Sequence, residues 1–319
     1  MKIGLIDIGS NTSKLLIAEK KSPISNDRFS VLKQVSLPCR LLCSSPHHSG
    51  QIENRELQLL LTCLQDLKKT CLQHEVSSIK TVATEAFRKS TNSLAVRQKV
   101  KDTTGLEIEI LSGVQEALGI AKGLQTDPQF QDWQNYIALD IGGGSVEVIE
   151  VVNQLPKQVK SLPIGAIRVA PSNQDKLESK INDIAQRNAR KYVHDIVQTE
   201  LSTFAIDSVR LAATGGTIVF LRKILENKKL LKKSGLIERS NIEQIVKEAC
   251  SVSTEERILL FPDLPSDRAD IFPYGLLAVL EIMKFLRTDH LTHSFHNLRY
   301  GLAKAFLDSL HQPQRANQS

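Results

Sequence analysis

The chain has 319 residues, of which 41% are hydrophobic and 24% are charged, and its formal net charge is +6. This length predicts two domains, and the composition excludes a fibrous, low-complexity or wholly disordered chain. The excess of basic residues favours an anionic partner without choosing among nucleotide, polyphosphate, nucleic acid and membrane.

A short pattern near the N-terminus occurs again 133 residues later. Residues 3–18 and 136–149 each contain an apolar run, an Asp (Asp7 or Asp140), a Gly two residues on, a small polar loop and a second apolar run. Apolar runs of this length beside Gly are typical of strands, so each copy predicts a β-hairpin. A duplicated hairpin predicts two similar domains that face each other.

The rest of the chain alternates between strand and helix patterns, which predicts an α/β protein. In chain order, strands are predicted over 29–37, 78–83, 106–111, 157–163 and 209–212, and helices over 53–74, 93–103, 114–124, 175–201, about 241–251, 271–287 and 298–310. The helix over 175–201 is expected to bury Leu177, Ile181, Ile184, Tyr192, Ile196 and Val197. The apolar stretch 271–286 contains Glu281 and Lys284 and is too short to span a bilayer. The polar tail 312–319 is expected to be disordered.

Five cysteines occur, at positions 39, 43, 63, 71 and 250, and no two form a CxxC pair. An odd number of cysteines and an N-terminus without a signal-peptide pattern indicate reduced thiols and a cytoplasmic location. Cys39 and Cys43 with His47 and His48 could be written as a zinc site. No second ligand pair follows at fixed spacing, so we do not expect one.

The turns of the two predicted hairpins are suited to binding phosphate. Gly at a tight turn lets a ligand approach the backbone, and successive N–H groups form a concave site for anions. The polar loop residues of the first hairpin and the glycine-rich loop of the second are therefore predicted to hold a phosphate chain between them. These residues are Ser10, Asn11, Thr12, Gly142, Gly143, Gly144 and Ser145.

Asp7 and Asp140 precede these two turns. A carboxylate does not bind phosphate well because both groups are negative, and a cation between them removes the conflict. Both residues are therefore predicted Mg²⁺ ligands, directly or through water. An ordinary hairpin with a capping acid would also explain either loop alone, but not the pair as readily.

Two glutamates are candidates for acid–base chemistry. Glu147 lies between apolar neighbours, so the period of two along a strand places it on the opposite face from them, toward the cleft or toward solvent. Glu116 is expected in the first turn of a helix, where a carboxylate is also a common cap or helix-dipole partner. Hydrolysis of a phosphoanhydride needs a group that orients and deprotonates water, and a carboxylate suits this role.

Four arginines lie near glycines at predicted element ends: Arg88, Arg168, Arg268 and Arg299. Arg binds phosphate oxygens in bidentate fashion, although a lone Arg is more often a surface ion-pair partner. The sequence Thr214, Gly215, Gly216 lies between a strand and a helix, where small residues let phosphate approach the helix N-terminus.

These motifs occur in the same order in one family. They occupy residues 7–12, 83–88, 112–117, 140–147, 162–168, 214–217, 268–270 and 298–301. The chain resembles the exopolyphosphatase/guanosine pentaphosphate phosphohydrolase (Ppx/GppA) family, in a short two-domain form, from residue 3 to about 305.

The resemblance implies two ribonuclease-H-like domains of the actin-like ATPase and sugar kinase superfold, with an interdomain cleft. It implies an N-terminal domain over 1–124 completed by a helix at 298–311, and a second domain over 125–297. It also implies Glu116 as catalytic base, Glu147 as a second required acid and Arg88 as a phosphate contact.

The implied activity is Mg²⁺-dependent release of the terminal phosphate of inorganic polyphosphate. A guanosine pentaphosphate phosphohydrolase, a related ATP-dependent kinase or ATPase, and a non-catalytic binder of alarmones or polyphosphate stay open as alternatives. No membrane or nucleic-acid partner is expected, and a homodimer is a default expectation for a soluble enzyme.

Overall fold

The computed structural model describes residues 1–20, 29–41, 50–171, 179–204, 210–231 and 235–310. Its strands form two mixed sheets. The first sheet contains β1 (Lys2–Ile8), β2 (Thr12–Lys20), β3 (Phe29–Pro38), β4 (Ser78–Ala83) and β5 (Ile108–Ile110). The second contains β6 (Tyr136–Ile141), β7 (Val146–Val152), β8 (Leu155–Leu162), β9 (Leu211–Thr214), β10 (Leu236–Glu238) and β11 (His290–His293).

The two sheets share one topology. Their strand orders are β3-β2-β1-β4-β5 and β8-β7-β6-β9-β11, with β10 added at the edge of the second. In each sheet the first three strands form antiparallel hairpins, and the next strand, β4 or β9, pairs in parallel with the first. The predicted duplication and the predicted α/β class with two similar units are confirmed.

Helices cover both faces of the sheets. They are α1 (Asn54–Gln73), α2 (Glu85–Lys89), α3 (Ser93–Thr104), α4 (Gly113–Gln125), α5 (Ala166–Val169), α6 (Asp183–Glu200), α7 (Gly216–Asn227), α8 (Arg239–Cys250), α9 (Thr254–Leu260), α10 (Ser266–Ala269), α11 (Phe272–Phe285) and α12 (Leu298–Ser309). None of the helices in these ranges is long and apolar enough to cross a membrane.

Helix α4 connects the two sheets. It packs on β7 and β8 of the second sheet and against α12, which in turn packs on β1 and β2 of the first. The contact between α4 and α12 is made through Gly119, Gly123 and Gly301, where the two backbones approach each other closely. The division of the chain at residue 124 stays a prediction.

Several predicted elements differ from the structure at their ends. Helix α6 begins at Asp183, after Asn182 accepts a hydrogen bond from the Ala185 N–H group, rather than at 175. Ile184 and Tyr192 are predicted to be buried but are 62% and 41% exposed. The buried face of this helix is formed by Ala189, Val193 and Val197, and the two residues lie outside it. The strand predicted at 209–212 runs from Leu211 to Thr214. Cys43, His47, His48, Leu177 and the tail 312–319 lie outside the described residues.

Candidate active site

The turns of the two hairpins meet at a cavity of about 60 Å³, which is large enough for several water molecules or a small ion. A Cβ atom added to Gly143 would lie 3.3 Å from Cβ of Asn11, so the turns are in direct contact. The cavity is lined by Asp7, Gly9, Ser10, Asn11, Thr12, Lys14, Thr84, Glu85, Glu116, Asp140, Gly142, Gly143, Gly144, Ser145, Glu147, Gly216, Arg268, Asn297 and Leu298. Most of the predicted site residues are therefore in one place.

The second turn presents its backbone N–H groups on one side. The carbonyl oxygens of Gly142, Gly143 and Gly144 accept hydrogen bonds from the backbone N–H groups of Ala166, Ile167 and Gly165, respectively. In a trans peptide the next N–H group points opposite to the carbonyl, so the three following N–H groups point away from the 165–167 segment. Any Cβ at Gly165 would collide with the turn, since it would lie 2.6 Å from the Gly143 carbonyl oxygen.

Asp7 and Asp140 occupy equivalent strand positions. Asp7 is opposite Lys14 in the β1–β2 ladder, and Asp140 is opposite Glu147 in the β6–β7 ladder. Burial raises the pKa of both carboxyls, that of Asp140 to about 6, while the ammonium group of Lys14 opposes the increase. The charge of Asp7 contributes to the raised pKa of Asp140, which indicates that the two carboxylates are close enough to repel each other.

Lys14 was not predicted as a site residue. It lines the cavity, and burial lowers its pKa while the carboxylate of Asp7 opposes that decrease. A signal was present in the sequence: the offset of 133 residues that relates Asp7 to Asp140 also relates Lys14 to Glu147. Applying the offset to both strands of the hairpin would have identified Lys14 together with Glu147.

Glu116 lies in the first turn of α4 but does not cap the helix. Ser112 and Gln115 form the capping box, in which each side chain accepts a hydrogen bond from the other residue's backbone N–H group. Oε2 of Glu116 is instead 2.7 Å from Nη1 of Arg88. Burial, and then the charge of Glu147, raises the pKa of Glu116 well above its usual value, and Arg88 opposes the increase.

Glu147 is held by two hydroxyl groups. Its Oε1 accepts hydrogen bonds from Oγ of Ser145 at 2.6 Å and from Oγ of Ser161 at 2.8 Å. The side chain is 2% exposed, and burial followed by the charge of Asp140 raises its pKa to about 7. Ser161 was not predicted. It also packs at the start of α4, since a Cβ on Gly113 would lie 3.0 Å from that of Ser161.

Arg268 enters the cavity from α10, at the N-terminus of α7. Its Nη2 donates to Oγ1 of Thr12 in the first turn at 3.2 Å, and a Cβ on Gly216 would lie 2.7 Å from its Nη1. Thr214 and Gly215 do not line the cavity. Thr214 is fully buried opposite Asp140 in the β6–β9 ladder, and a Cβ on Gly215 would lie 2.5 Å from Oδ1 of Asp140.

Two further predicted arginines do not line the cavity themselves but contact acidic residues that do. Arg88 contacts Glu116, and Arg168 lies 3.5 Å from Oε1 of Glu85. Glu85 was not predicted, although it lines the cavity. Arg299 is 8% exposed and donates to the carbonyl oxygen of Leu15 at 3.2 Å; its charge opposes the raised pKa of Asp7.

Among the described residues, no group of three or more His, Cys, Asp or Glu side chains is arranged to hold a metal ion. The candidate cation position at Asp7 and Asp140 therefore offers two carboxylates. Mg²⁺ usually keeps several waters and binds through one or two carboxylates plus substrate phosphates, so two are sufficient for that ion.

Two curated relatives illustrate the similarity to known proteins. Exopolyphosphatase 1 of Mycobacterium bovis is 28% identical over 176 residues, which cover 53% of this chain and 48% of the relative. The guanosine-5'-triphosphate,3'-diphosphate pyrophosphatase of Vibrio parahaemolyticus is 25% identical over 311 residues, which cover 96% of this chain and 59% of the relative. The chain thus spans about half the length of the curated relatives it matches.

Solved structures show the same fold. An exopolyphosphatase from Cytophaga hutchinsonii superposes with a TM-score of 0.83 at 22% identity, covering 97% of this chain and 98% of that one. The Aquifex aeolicus Ppx/GppA family member gives a TM-score of 0.76 at 22% identity, covering 98% and 99%. The sequence profile of the Ppx/GppA phosphatase family matches residues 22–310. Since this match extends over most of the chain, the protein belongs to the Ppx/GppA phosphatase family.

Proposed function

We propose that the chain hydrolyses the terminal phosphoanhydride bond of inorganic polyphosphate, with Glu116 as the base for the attacking water. The observation that carries this proposal is the environment of Glu116. Its side chain is 7% exposed, lines the same cavity as the glycine turn, and is fixed by Arg88 at 2.7 Å. Burial raises its pKa well above the usual value, and a carboxylate of higher pKa is a stronger base once it is ionised.

In the proposed step, the water oxygen attacks the terminal phosphorus in line with the bridging oxygen. A new P–O bond forms as the bridging P–O bond breaks, and the shortened chain leaves with the electron pair of that bond. The proton lost by water passes to Oε1 or Oε2 of Glu116. Little covalent chemistry is left to the protein, so positioning and charge stabilisation account for most of the rate.

Binding of the phosphate chain is assigned to both turns. The N–H groups that follow Gly142, Gly143 and Gly144 all point away from the 165–167 segment, and this turn lines the cavity. The side-chain amide of Asn11 is 3% exposed, and neither its oxygen nor its nitrogen has a hydrogen-bond partner. Buried polar atoms without partners are costly, and a phosphate oxygen with its hydration would satisfy them.

Positive charge on the other side of the cavity would attract the substrate. Lys14 and Arg268 line the cavity, and the half-buried Lys14 and the buried Arg268 interact more strongly with an anion than exposed groups would, because water screens them less. Their placement among the five carboxyls that line the cavity, those of Asp7, Glu85, Glu116, Asp140 and Glu147, explains how a site rich in Asp and Glu could still accept a polyanion.

Mg²⁺ fits the donor set as a resident cation. Asp7 and Asp140 would hold it, because both line the cavity, each carries a raised pKa and the charge of Asp7 raises the pKa of Asp140. When bound, the ion would supply positive charge for the phosphate oxygens. The residues of this chain would then orient the phosphate and remove the proton from water.

The first experiment is phosphate release with Mg²⁺ from long polyphosphate, short polyphosphate, guanosine pentaphosphate and ATP at equal concentrations of terminal phosphate. Preferential release from polyphosphate without any phosphoryl acceptor is the expected result. Transfer of the terminal phosphoryl group to an added acceptor in place of phosphate release would indicate a kinase, and release from none of the four would refute the proposal.

A second candidate, hydrolysis of guanosine pentaphosphate, is favoured by one observation. The Vibrio parahaemolyticus relative, whose name specifies a guanosine polyphosphate, aligns with 96% of this chain, whereas the Mycobacterium bovis exopolyphosphatase aligns with 53%. The same assay separates the two candidates, because the guanosine compound would then be the preferred substrate.

A further inference from the structure

Glu85 is a buried carboxylate for which the proposed reaction gives no role. It begins α2, directly after β4, and its side chain lines the cavity. The residue is 4% exposed, and its Oε2 atom has no hydrogen-bond partner. A buried carboxylate oxygen without a donor is unfavourable in a folded protein, and such exceptions are often found where a ligand binds.

The unpaired oxygen lies between the two turns. A Cβ atom added to Gly144 in the second turn would collide with Oε2 of Glu85, and it would lie 2.6 Å from Oγ of Ser10 in the first turn. The carboxylate of Glu85 therefore occupies the gap between Ser10 and Gly144. This gap is where both turns would contact a phosphate group.

Glu85 also engages an arginine predicted to bind phosphate. Its Oε1 is 3.5 Å from Nη2 of Arg168, which lies on α5, next to the segment that fixes the second turn. Burial raises the pKa of Glu85, and the guanidinium of Arg168 is the largest influence that opposes the increase. One carboxylate thus contacts the glycine turn, approaches the first turn and pairs with a cation, as a phosphate group would.

We propose that Glu85 is a specificity-determining residue that competes with phosphate for the gap between the turns and for Arg168. This inference rests on the proposed function and deepens it. A polyphosphate chain makes further contacts with Lys14, Arg268 and the rest of the turn, and these contacts offset the displacement of Glu85. A single inorganic phosphate ion lacks them, so Glu85 disfavours retention of the reaction product.

The test is Glu85→Gln, which keeps the shape of the side chain and removes its charge. We expect this variant to bind inorganic phosphate and pyrophosphate about tenfold more tightly in calorimetry, because the competing anion is gone and Arg168 is released. Inhibition of hydrolysis by inorganic phosphate should strengthen by a similar factor. Glu255→Gln, an exposed Glu on α9, is the matched control and should change neither value.

A second variant tests the route through Arg168. Arg168→Met in the Glu85→Gln background should remove most of the gain in phosphate affinity, whereas Arg168→Met alone should have a smaller effect because Glu85 already engages that arginine. Equal or weaker phosphate binding by Glu85→Gln would overturn the inference. If the parent protein hydrolyses none of the substrates, the proposed function fails, and the calorimetric comparison still decides the role of Glu85.

Discussion

Arg88 holds the carboxylate of Glu116 through a direct ion pair. Its Nη1 lies 2.7 Å from Oε2 of Glu116 and 2.8 Å from the carbonyl oxygen of Leu111, at the end of the preceding segment. The sequence predicts Arg88 as a phosphate contact. In the structure it fixes the orientation of Glu116 and opposes the rise of its pKa.

Replacing Arg88 with Met should therefore raise the pKa of Glu116 further. We expect the acid limb of the pH dependence of kcat/KM to move to higher pH, since Glu116 must be ionised to accept a proton. The measurement is phosphate release across the pH range with saturating Mg²⁺. Arg187→Met, on the exposed face of α6, is the control, and an unmoved acid limb in Arg88→Met would contradict this role.

Glu116→Gln should reduce kcat by about three orders of magnitude, because the amide cannot accept the proton from water. Binding of the phosphate chain should be largely retained, since the side chain keeps its size and loses a negative charge. Turnover and calorimetric binding are measured on the same preparation. Near-full activity would show that another group is the base.

Asp140→Asn should raise the Mg²⁺ concentration required for half-maximal activity. The amide carries no charge, so one of the two carboxylates available to the cation is lost. A Mg²⁺ titration of initial rates at fixed substrate measures the effect, with the exposed Asp132→Asn as control. An unchanged titration would remove Asp140 from the cation site.

Glu147→Gln should stabilise the protein at neutral and alkaline pH. Burial raises the pKa of the folded-state carboxyl to about 7, above its ordinary value of 4.5, so the folded state holds a proton that the unfolded chain has released. Stability is therefore lost as pH rises from the ordinary value to about 7. At about pH 8 the variant should gain about 3 kcal/mol in the free energy of unfolding, with no gain at about pH 4.

Urea denaturation at the two pH values, without divalent cations, measures this difference. A gain at neutral pH combined with a loss of turnover would show that the buried acid is kept for function at a cost in stability. Equal stability of the parent and the variant at both pH values would contradict the raised pKa.

Arg257 is expected to position Arg268. It is fully buried, and its guanidinium donates to the carbonyl oxygens of Ala249 at 2.8 Å, Val252 at 3.1 Å and Ala269 at 2.5 Å. Arg257→Met should lower the free energy of unfolding by about 2–4 kcal/mol, because several buried acceptors lose their donor. It should also raise KM.

A double-mutant cycle separates these two effects. If Arg257 acts on substrate binding through Arg268, the increases in KM caused by Arg257→Met and Arg268→Ala should not add, while the stability losses should. Additive effects on KM would show that Arg257 has only a structural role.

The hairpins could be predicted from sequence because their signals are local. An Asp, a Gly and two apolar runs within sixteen residues specify the strands and the turn without knowledge of the rest of the chain. Glu85 and Ser161 could not be found in the same way. Glu85 lies against Gly144, and Ser161 is paired with Glu147 in the β7–β8 ladder. These contacts form only when the strands pair and the two hairpin turns meet, so a local sequence pattern does not show them.

Short elements were missed for a related reason. Strands β10 and β11 have three and four residues, and helix α10 has four, so none contains enough residues to show a period. The two strands form by the pairing of β10 with β11 and of β11 with β9, and these partners lie far apart in the sequence.

The shared register of the two hairpins has an evolutionary consequence. Gly9 donates to the Thr12 carbonyl and Gly142 to the Ser145 carbonyl, each at 3.0 Å, so the duplicated backbone has been kept. At the equivalent positions opposite the aspartates, one copy carries Lys14 and the other Glu147. The two copies therefore carry opposite charges at one equivalent position on the same backbone frame. The two hairpins are therefore not interchangeable: a chimera with two copies of the first would place a lysine at the position of Glu147, and Glu116 would lose the acid whose charge helps to raise its pKa.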